Sequence, residues 1–162
     1  MKSQLSKIKG QAPEEAGMTS KLRAPGLGSK QVSGKVTAVS AAFKNAGQNL
    51  TVDLKGKNIS DTHVNEIAKH LKANPLIRVL DLSSNKITDD GAQGIAKAVS
   101  ETEVQTLMFA NNKMSEKCAE PLAAILRTNK NLKHLDLSGN NIANRVMQNK
   151  IRNSLTKTSV KF

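Results

Sequence analysis

The sequence predicts a short right-handed α/β solenoid, with parallel strands on the concave side and helices on the convex side. Three observations carry this reading. Apolar residues recur with a period near 28, since Val52, Leu80, Leu107 and Leu135 are spaced by 28, 27 and 28 residues. Within each unit the spacing changes. Between Leu76 and Val99, residues Ile77, Leu80, Leu82, Asn85 and Ile87 follow I-x-x-L-x-L-x-x-N-x-I, whereas Ile95, Ala96 and Val99 fall at helical intervals. Finally, at least seven columns keep one register over three units, which chance does not produce.

Residues 1–33 precede the periodic part and read as a disordered basic arm. Pro13, Pro25, Gly26 and Gly28 interrupt any regular element, and Leu5, Ile8, Met18, Leu22 and Leu27 keep no sustained period. Its cations are Lys2, Lys7, Lys9, Lys21, Arg23 and Lys30. Up to Gly47, seven lysines and Arg23 face only Glu14 and Glu15, so half of the net charge of +12 lies on less than a third of the chain. Two readings follow: a solvated tail, or an electrostatic tether to an acidic protein or nucleic acid. No aromatic residue precedes Phe43 to stack on bases, which weighs against nucleic acid. The run Gly28 to Val36 superficially imitates a phosphate-binding loop. It has one residue too many, no hydroxyl at the metal position and no preceding strand.

Residues 34–47 are expected to form an N-terminal capping helix. Val36, Val39 and Phe43 share one face, with Ser33 as N-cap and Gly47 as stop. A terminal unit of a stacked array must cover an apolar end, which is the role assigned here.

Residues 48–162 are read as 3.5 to 4 repeats with a C-terminal capping helix. The second strand column is Leu54, Leu82, Phe109, Leu137, and the turn column is Lys57, Asn85, Asn112, Asn140. Beyond it come Ile59, Ile87, Met114, Ile142, then the helix columns Val64/Ala92/Ala119, Ile67/Ile95/Leu122, Ala68/Ala96/Ala123 and Leu71/Val99/Leu126. Within each helix these lie at i, i+3, i+4 and i+7, one apolar face. Strand residues of the L-x-L pattern point inward, so those between them point out. The asparagine amide is suited to backbone groups where the chain leaves the strand. Ser60 or Asp61 and Thr88 or Asp89 are the expected helix N-caps. Lys57 breaks the turn column, Pro121 requires the third helix to start late or kink, and Val146, Ile151 and Leu155 mark a polar closing helix.

The stretches IRVLDLSSNKITDDGAQGIAKAV and LKHLDLSGNNI resemble the helix-bearing leucine-rich repeat of ribonuclease inhibitor, tropomodulin and NOD-like-receptor proteins, over about residues 49 to 155. The resemblance implies a non-enzymatic protein–protein interaction scaffold or adaptor that binds its partner on the concave face. The alternative is a structural subunit of a large assembly, RNA-containing in one version, anchored by the basic arm. An inhibitor of a basic ribonuclease is disfavoured, because this chain is itself basic.

The outward strand positions supply the expected partner site: Asp53, Lys55, Val79, Asp81, Ser83, Thr106, Met108, His134 and Asp136. Asp53, Asp81 and Asp136 make one acidic column interrupted by Met108, suited to a basic or amphipathic peptide. A plainer reading is that L-D-L-S is simply this repeat's usual wording. His134 has no nucleophile and orienting partner beside it, and Cys118 reads as a packed side chain. No catalytic residue, metal site or cofactor is expected. One cysteine excludes an internal disulfide framework. No apolar run is long enough for a membrane span, and the amino terminus has no apolar signal core. The expectation is therefore a nucleocytoplasmic protein, monomeric alone, with protein partners; secretion as a host-directed effector stays open.

Overall fold

The structure, a computed structural model, describes residues 37–46, 50–155 and 157–162, all within the unit spanning residues 34–162. The basic arm expected over residues 1–33 lies outside the described residues.

The first described helix is α1 (Ala38–Asn45). Its N-cap is Thr37, whose Oγ1 accepts from the Ser40 N–H at 3.0 Å, and not Ser33 as the sequence suggested. A hydroxyl one residue ahead of the first turn satisfies a donor that has no partner inside the helix. Val39 and Phe43 are its buried residues, and Phe43 stacks on His70 of the next helix with ring centroids 5.0 Å apart.

The repeats then follow as β1 (Thr51–Asp53), α2 (Val64–Ala73), β2 (Val79–Asp81), α3 (Asp89–Ser100), β3 (Thr106–Met108), α4 (Ala119–Leu126), β4 (His134–Asp136), α5 (Arg145–Ser154) and β5 (Ser159–Lys161). The five strands pair in sequence order, all parallel. Each helix packs on the next, and together they form one layer against the inward side of the sheet. Between the layers lie the predicted columns. Val52, Leu80, Leu107 and Leu135 are buried, as are Leu54, Leu82, Phe109 and Leu137, and Ile67, Ile95 and Leu122 meet them from the helices. Burying one such side chain contributes about 1.5 to 3 kcal/mol, so the stack of columns dominates the stability of strands only three residues long.

Two ladders of side-chain hydrogen bonds tie the repeats together. In the first, Asn85 Oδ1 accepts from the Ile59 N–H at 2.8 Å, while its Nδ2 donates to the carbonyls of Leu54 (2.8 Å), Leu82 (2.9 Å) and Ser83 (3.1 Å). Asn112 repeats this on Ile87, Leu82 and Phe109, and Asn140 on Met114, Phe109 and Leu137. This is how the first repeat manages with Lys57 in the asparagine position: its turn is bonded by the asparagine of the next repeat. The second ladder runs along the helix starts. Asp61 accepts from the Thr88 N–H (2.9 Å) and hydroxyl (2.5 Å), Asp89 from the Ser115 N–H and hydroxyl (both 2.6 Å), and Glu116 from the Asn144 N–H (2.9 Å). Gly91 makes the first rung fit, since a Cβ there would lie 2.0 Å from Asp61 Oδ1. A Cβ on Gly94 would likewise lie 2.6 Å from Val64 Cγ1, so α3 seats closely on the preceding unit.

Three details differ from or refine the sequence reading. Pro121 is accommodated by a late start: a 3-10 turn, Glu116–Cys118, precedes α4, which leaves the proline in the first helical turn, where its missing N–H breaks no bond. The sheet has a fifth strand beyond the four or so expected, because the chain after α5 returns to pair with β4. Of the three apolar residues that marked the closing helix, Ile151 and Leu155 are buried, whereas Val146 is 72% exposed.

Candidate partner-binding face

Alternation along each strand decides which side chains reach the open face. In β2 the core takes Leu80, so Val79 and Asp81 point away, and the parallel register carries this to every neighbour. One row across the sheet is Asp53, Asp81, Met108, Asp136, Lys161, and the other is Thr51, Val79, Thr106, His134, Ser159. The two rows hold seven of the nine predicted residues (Asp53, Val79, Asp81, Thr106, Met108, His134 and Asp136), Lys55 and Ser83 lie just beyond their strands, and β5 adds Ser159 and Lys161, which the sequence reading missed. A short alternating S-V-K was the only signal for them.

The aspartates are not simply free charges. Asp53 Oδ1 accepts from the Lys55 N–H at 2.9 Å, Asp81 Oδ1 from the Ser83 N–H at 2.8 Å, and Asp136 Oδ1 from the Ser138 N–H (2.9 Å) and hydroxyl (2.6 Å). Each carboxylate thus closes the turn that follows its own strand, a local bond of the kind aspartate favours in turns. L-D-L-S has this structural work whatever the face binds. Met108 interrupts the row with a half-buried thioether, and Val79 lies diagonally from it on the adjacent strand.

Individual positions differ in access. Asp53, Lys55 and His134 are exposed, whereas Val79, Asp81, Thr106, Met108 and Asp136 are half-buried. Ser83 departs from expectation: it is only 6% exposed, tucked in at the turn where its carbonyl accepts from Asn85. At the β1 end, α1 flanks the face, and Ala38, Ala42, Thr51, Asp53 and Lys57 border a depression of about 380 Å³.

The electrostatics change along the row. At its β5 end, Lys161 Nζ lies 3.4 Å from Asp136 Oδ2. Burial pushes the Asp136 carboxyl up, but the two Ser138 donors and Lys161 outweigh it and hold the group below its ordinary value. The row is therefore acidic at the β1 and β2 end, apolar at Met108, and closed by an ion pair at β5.

Among the described residues no group of three or more His, Cys, Asp or Glu converges to hold a metal. Cys118 is buried, its thiol donates to the Ser115 carbonyl at 3.1 Å, and burial with the neighbouring Asp89 charge pushes its pKa up to about 12. A thiol held that far from ionisation is a poor nucleophile. Among the described residues no helix is long and apolar enough to cross a membrane.

Comparison with known proteins agrees with the architecture. A leucine-rich-repeat family model matches residues 73–96 and 128–145. Two human relatives carry the repeat within much longer chains. One, NACHT, LRR and PYD domains-containing protein 13, is 28% identical over 93 residues, which is 57% of this chain. The other, NACHT, LRR and PYD domains-containing protein 5, is 32% identical over 81 residues, or 49% of it. This chain spans only 9% and 7% of their respective lengths. Among solved structures, one named Leiomodin-1 Actin-Binding Site 2 superposes with a TM-score of 0.64 at 16% identity, covering 77% of this chain and 78% of that one. At that identity the likeness speaks for the fold alone. Columns, ladders, sheet and matches together support a leucine-rich-repeat solenoid of the helix-bearing type that the sequence resembles.

Proposed function

We propose that this chain is a non-enzymatic protein–protein interaction scaffold, and that its partner docks on the open face of the sheet around Met108, Val79, Asp81 and Asp136. The observation that carries this reading is the register. Only this side presents side chains from five consecutive strands in parallel rows, about 4.8 Å apart. The residue types suit recognition: a flexible thioether adapts to a partner's apolar side chain, and flanking carboxylates set orientation. The helix backs are rounder and carry exposed Lys69 and Lys97, a residue type scarce at interface centres. A solved neighbour of the same fold is named for actin binding, which supports a protein as the class of partner and leaves its identity open.

The structure also decides how the reading should be tested. Because Asp81 closes its own turn, reversing its charge would disturb the fold together with the face; Asp81→Asn keeps an acceptor and removes only the charge. Met108→Lys touches no ladder. The experiment is capture by the full chain, identification of the bound protein, and measured affinities for three variants. Met108→Lys is expected to lose binding at least about 100-fold, as truncation of a central anchor does, and Asp81→Asn to weaken it less. Lys69→Glu with Lys97→Glu should leave it nearly unchanged. Loss in the helix variant with retention in Met108→Lys would move the site to the basic helical side.

A further inference from the structure

The cations of the helical side are unevenly balanced. Beside the ends of α2 and α3, Lys72 Nζ lies 2.9 Å from Glu101 Oε2 and Arg78 Nη1 lies 3.5 Å from Glu103 Oε2, so positive charge there is answered locally. The Lys72 ammonium, as donor and as charge, holds the Glu101 carboxyl below its ordinary value. Further along, the answer stops. From Pro121 to Phe162 eight lysines and arginines stand against one acid, Asp136, which lies on the open face with Lys161. Lys150 is engaged by Glu120 at 2.9 Å.

Three of the remaining cations border one groove. Between the end of α4 and the end of α5 lies a depression of about 290 Å³, floored by Leu126 and Leu155 and rimmed by Arg127, Lys130 and Lys157. No acidic residue lines it, and none of the three cations has an ion-pair partner among the described residues. Two of the uncharged polar side chains that line it are already bonded. Asn129 Nδ2 donates to the Val99 carbonyl at 2.7 Å, and the Thr158 hydroxyl donates to the Leu132 carbonyl at 2.9 Å. Three like charges grouped without a counter-charge repel one another, and an arriving anion relieves that repulsion.

We infer that this groove receives an acidic, Asp- and Glu-rich segment of a protein partner. Charge complementarity selects an anion, and the rest of the surface selects its source. Nucleic acid needs aromatic platforms or their equivalent for single strands. The chain has no Trp or Tyr, Phe43 and Phe109 are buried, and Phe162 already lies under the Arg152 guanidinium, 4.9 Å from ring centre to Cζ. A membrane surface needs an apolar face to insert, and the described large apolar side chains that are exposed are the scattered Leu76 and Val146. An extended acidic peptide needs neither. Its carboxylates reach the rim cations Arg127, Lys130 and Lys157 while its backbone lies along the groove. This surface is separate from the open face, so Met108→Lys leaves it intact and the two sites fail independently.

The test uses the full chain and a fluorescent synthetic Glu/Asp-rich peptide, read by anisotropy, with backbone amide shifts to place the contact. Arg127→Gln, Lys130→Gln and Lys157→Gln combined should weaken binding about tenfold, a sum of modest surface charge contributions. The control, Lys44→Gln, Lys69→Gln and Lys97→Gln combined, removes the same charge elsewhere and should change affinity less than about twofold. Shifts should concentrate at Arg127 to Lys130 and at Lys157 and Thr158. Equal weakening in both triple variants, shifts elsewhere, or no binding would overturn the assignment. So would tighter binding, through the same groove cations, of an unstructured RNA of equal charge or of anionic lipid vesicles.

Discussion

The two sides of the sheet use neighbouring residues of the same strands for opposite purposes. Inward positions are nearly uniform: Val52, Leu80, Leu107 and Leu135 fill one buried column, and Leu80, Leu107 and Leu135 each have a paired strand on either side. Outward positions vary from aspartate to methionine to lysine along a single row. The contrast separates what the repeat requires from what this chain has made its own. A stacked array constrains a residue wherever two repeats share it, and leaves it free wherever only solvent or a partner meets it. The aspartates show that the division is not complete, because each faces outward and still closes a turn.

The largest effect should come from the inward side. Leu107→Ala removes side-chain volume between two neighbouring repeats and should cost about 2 to 5 kcal/mol in urea unfolding. A loss under about 1 kcal/mol would mean that the column is not core. Next, Asn85→Ala leaves the Ile59 N–H and three carbonyls without their side-chain partner, and should cost about 2 kcal/mol. If it proves neutral, water replaces the ladder and the contrast between the two sides is weaker than drawn.

Most of the fold was legible because the inward side is periodic, and periodicity is what a sequence displays. The fifth strand was not, since Lys161 follows Asp136 by 25 residues while the earlier repeats keep 27 or 28, and the helix between them buries little. The helix-start ladder escaped for another reason. Asp61, Asp89 and Glu116 read as ordinary N-terminal acids, and their partners Thr88, Ser115 and Asn144 lie a full repeat away. The candidate face was legible as a set of positions, because alternation places them. Its chemistry was only half legible: the charge of the aspartates shows in the sequence, but their bonds to the following turn need coordinates.

Smaller effects probe the exceptions. Asp136 is held below its ordinary pKa of 3.8, so its folded form binds protons less readily than its unfolded form. Its contribution to stability is then complete above the unfolded value and is lost as pH falls through the lower, folded one. Asp136→Asn should flatten the acid limb of the stability curve slightly and leave neutral stability within about 1 kcal/mol. Unchanged acid unfolding would show that Lys161 and Ser138 do not favour the charged form. The smallest effect belongs to Cys118. With its pKa pushed up to about 12, the native thiol should resist alkylation at mildly alkaline pH and react only on unfolding. Rapid native labelling would contradict its place in the core.

The most direct measurement is a methyl NMR titration of the full chain with its captured partner. Probes on the open face are Met108, Val79 and Thr106, and probes on the helical side are the exposed Ala73 and Ala124. The predicted result is broadening or shift of Met108 and Val79 at substoichiometric partner, with Ala73 and Ala124 unmoved. Movement of Ala73 and Ala124 with Met108 and Val79 unchanged would contradict it, and would make the rows of the open face a consequence of the repeat alone.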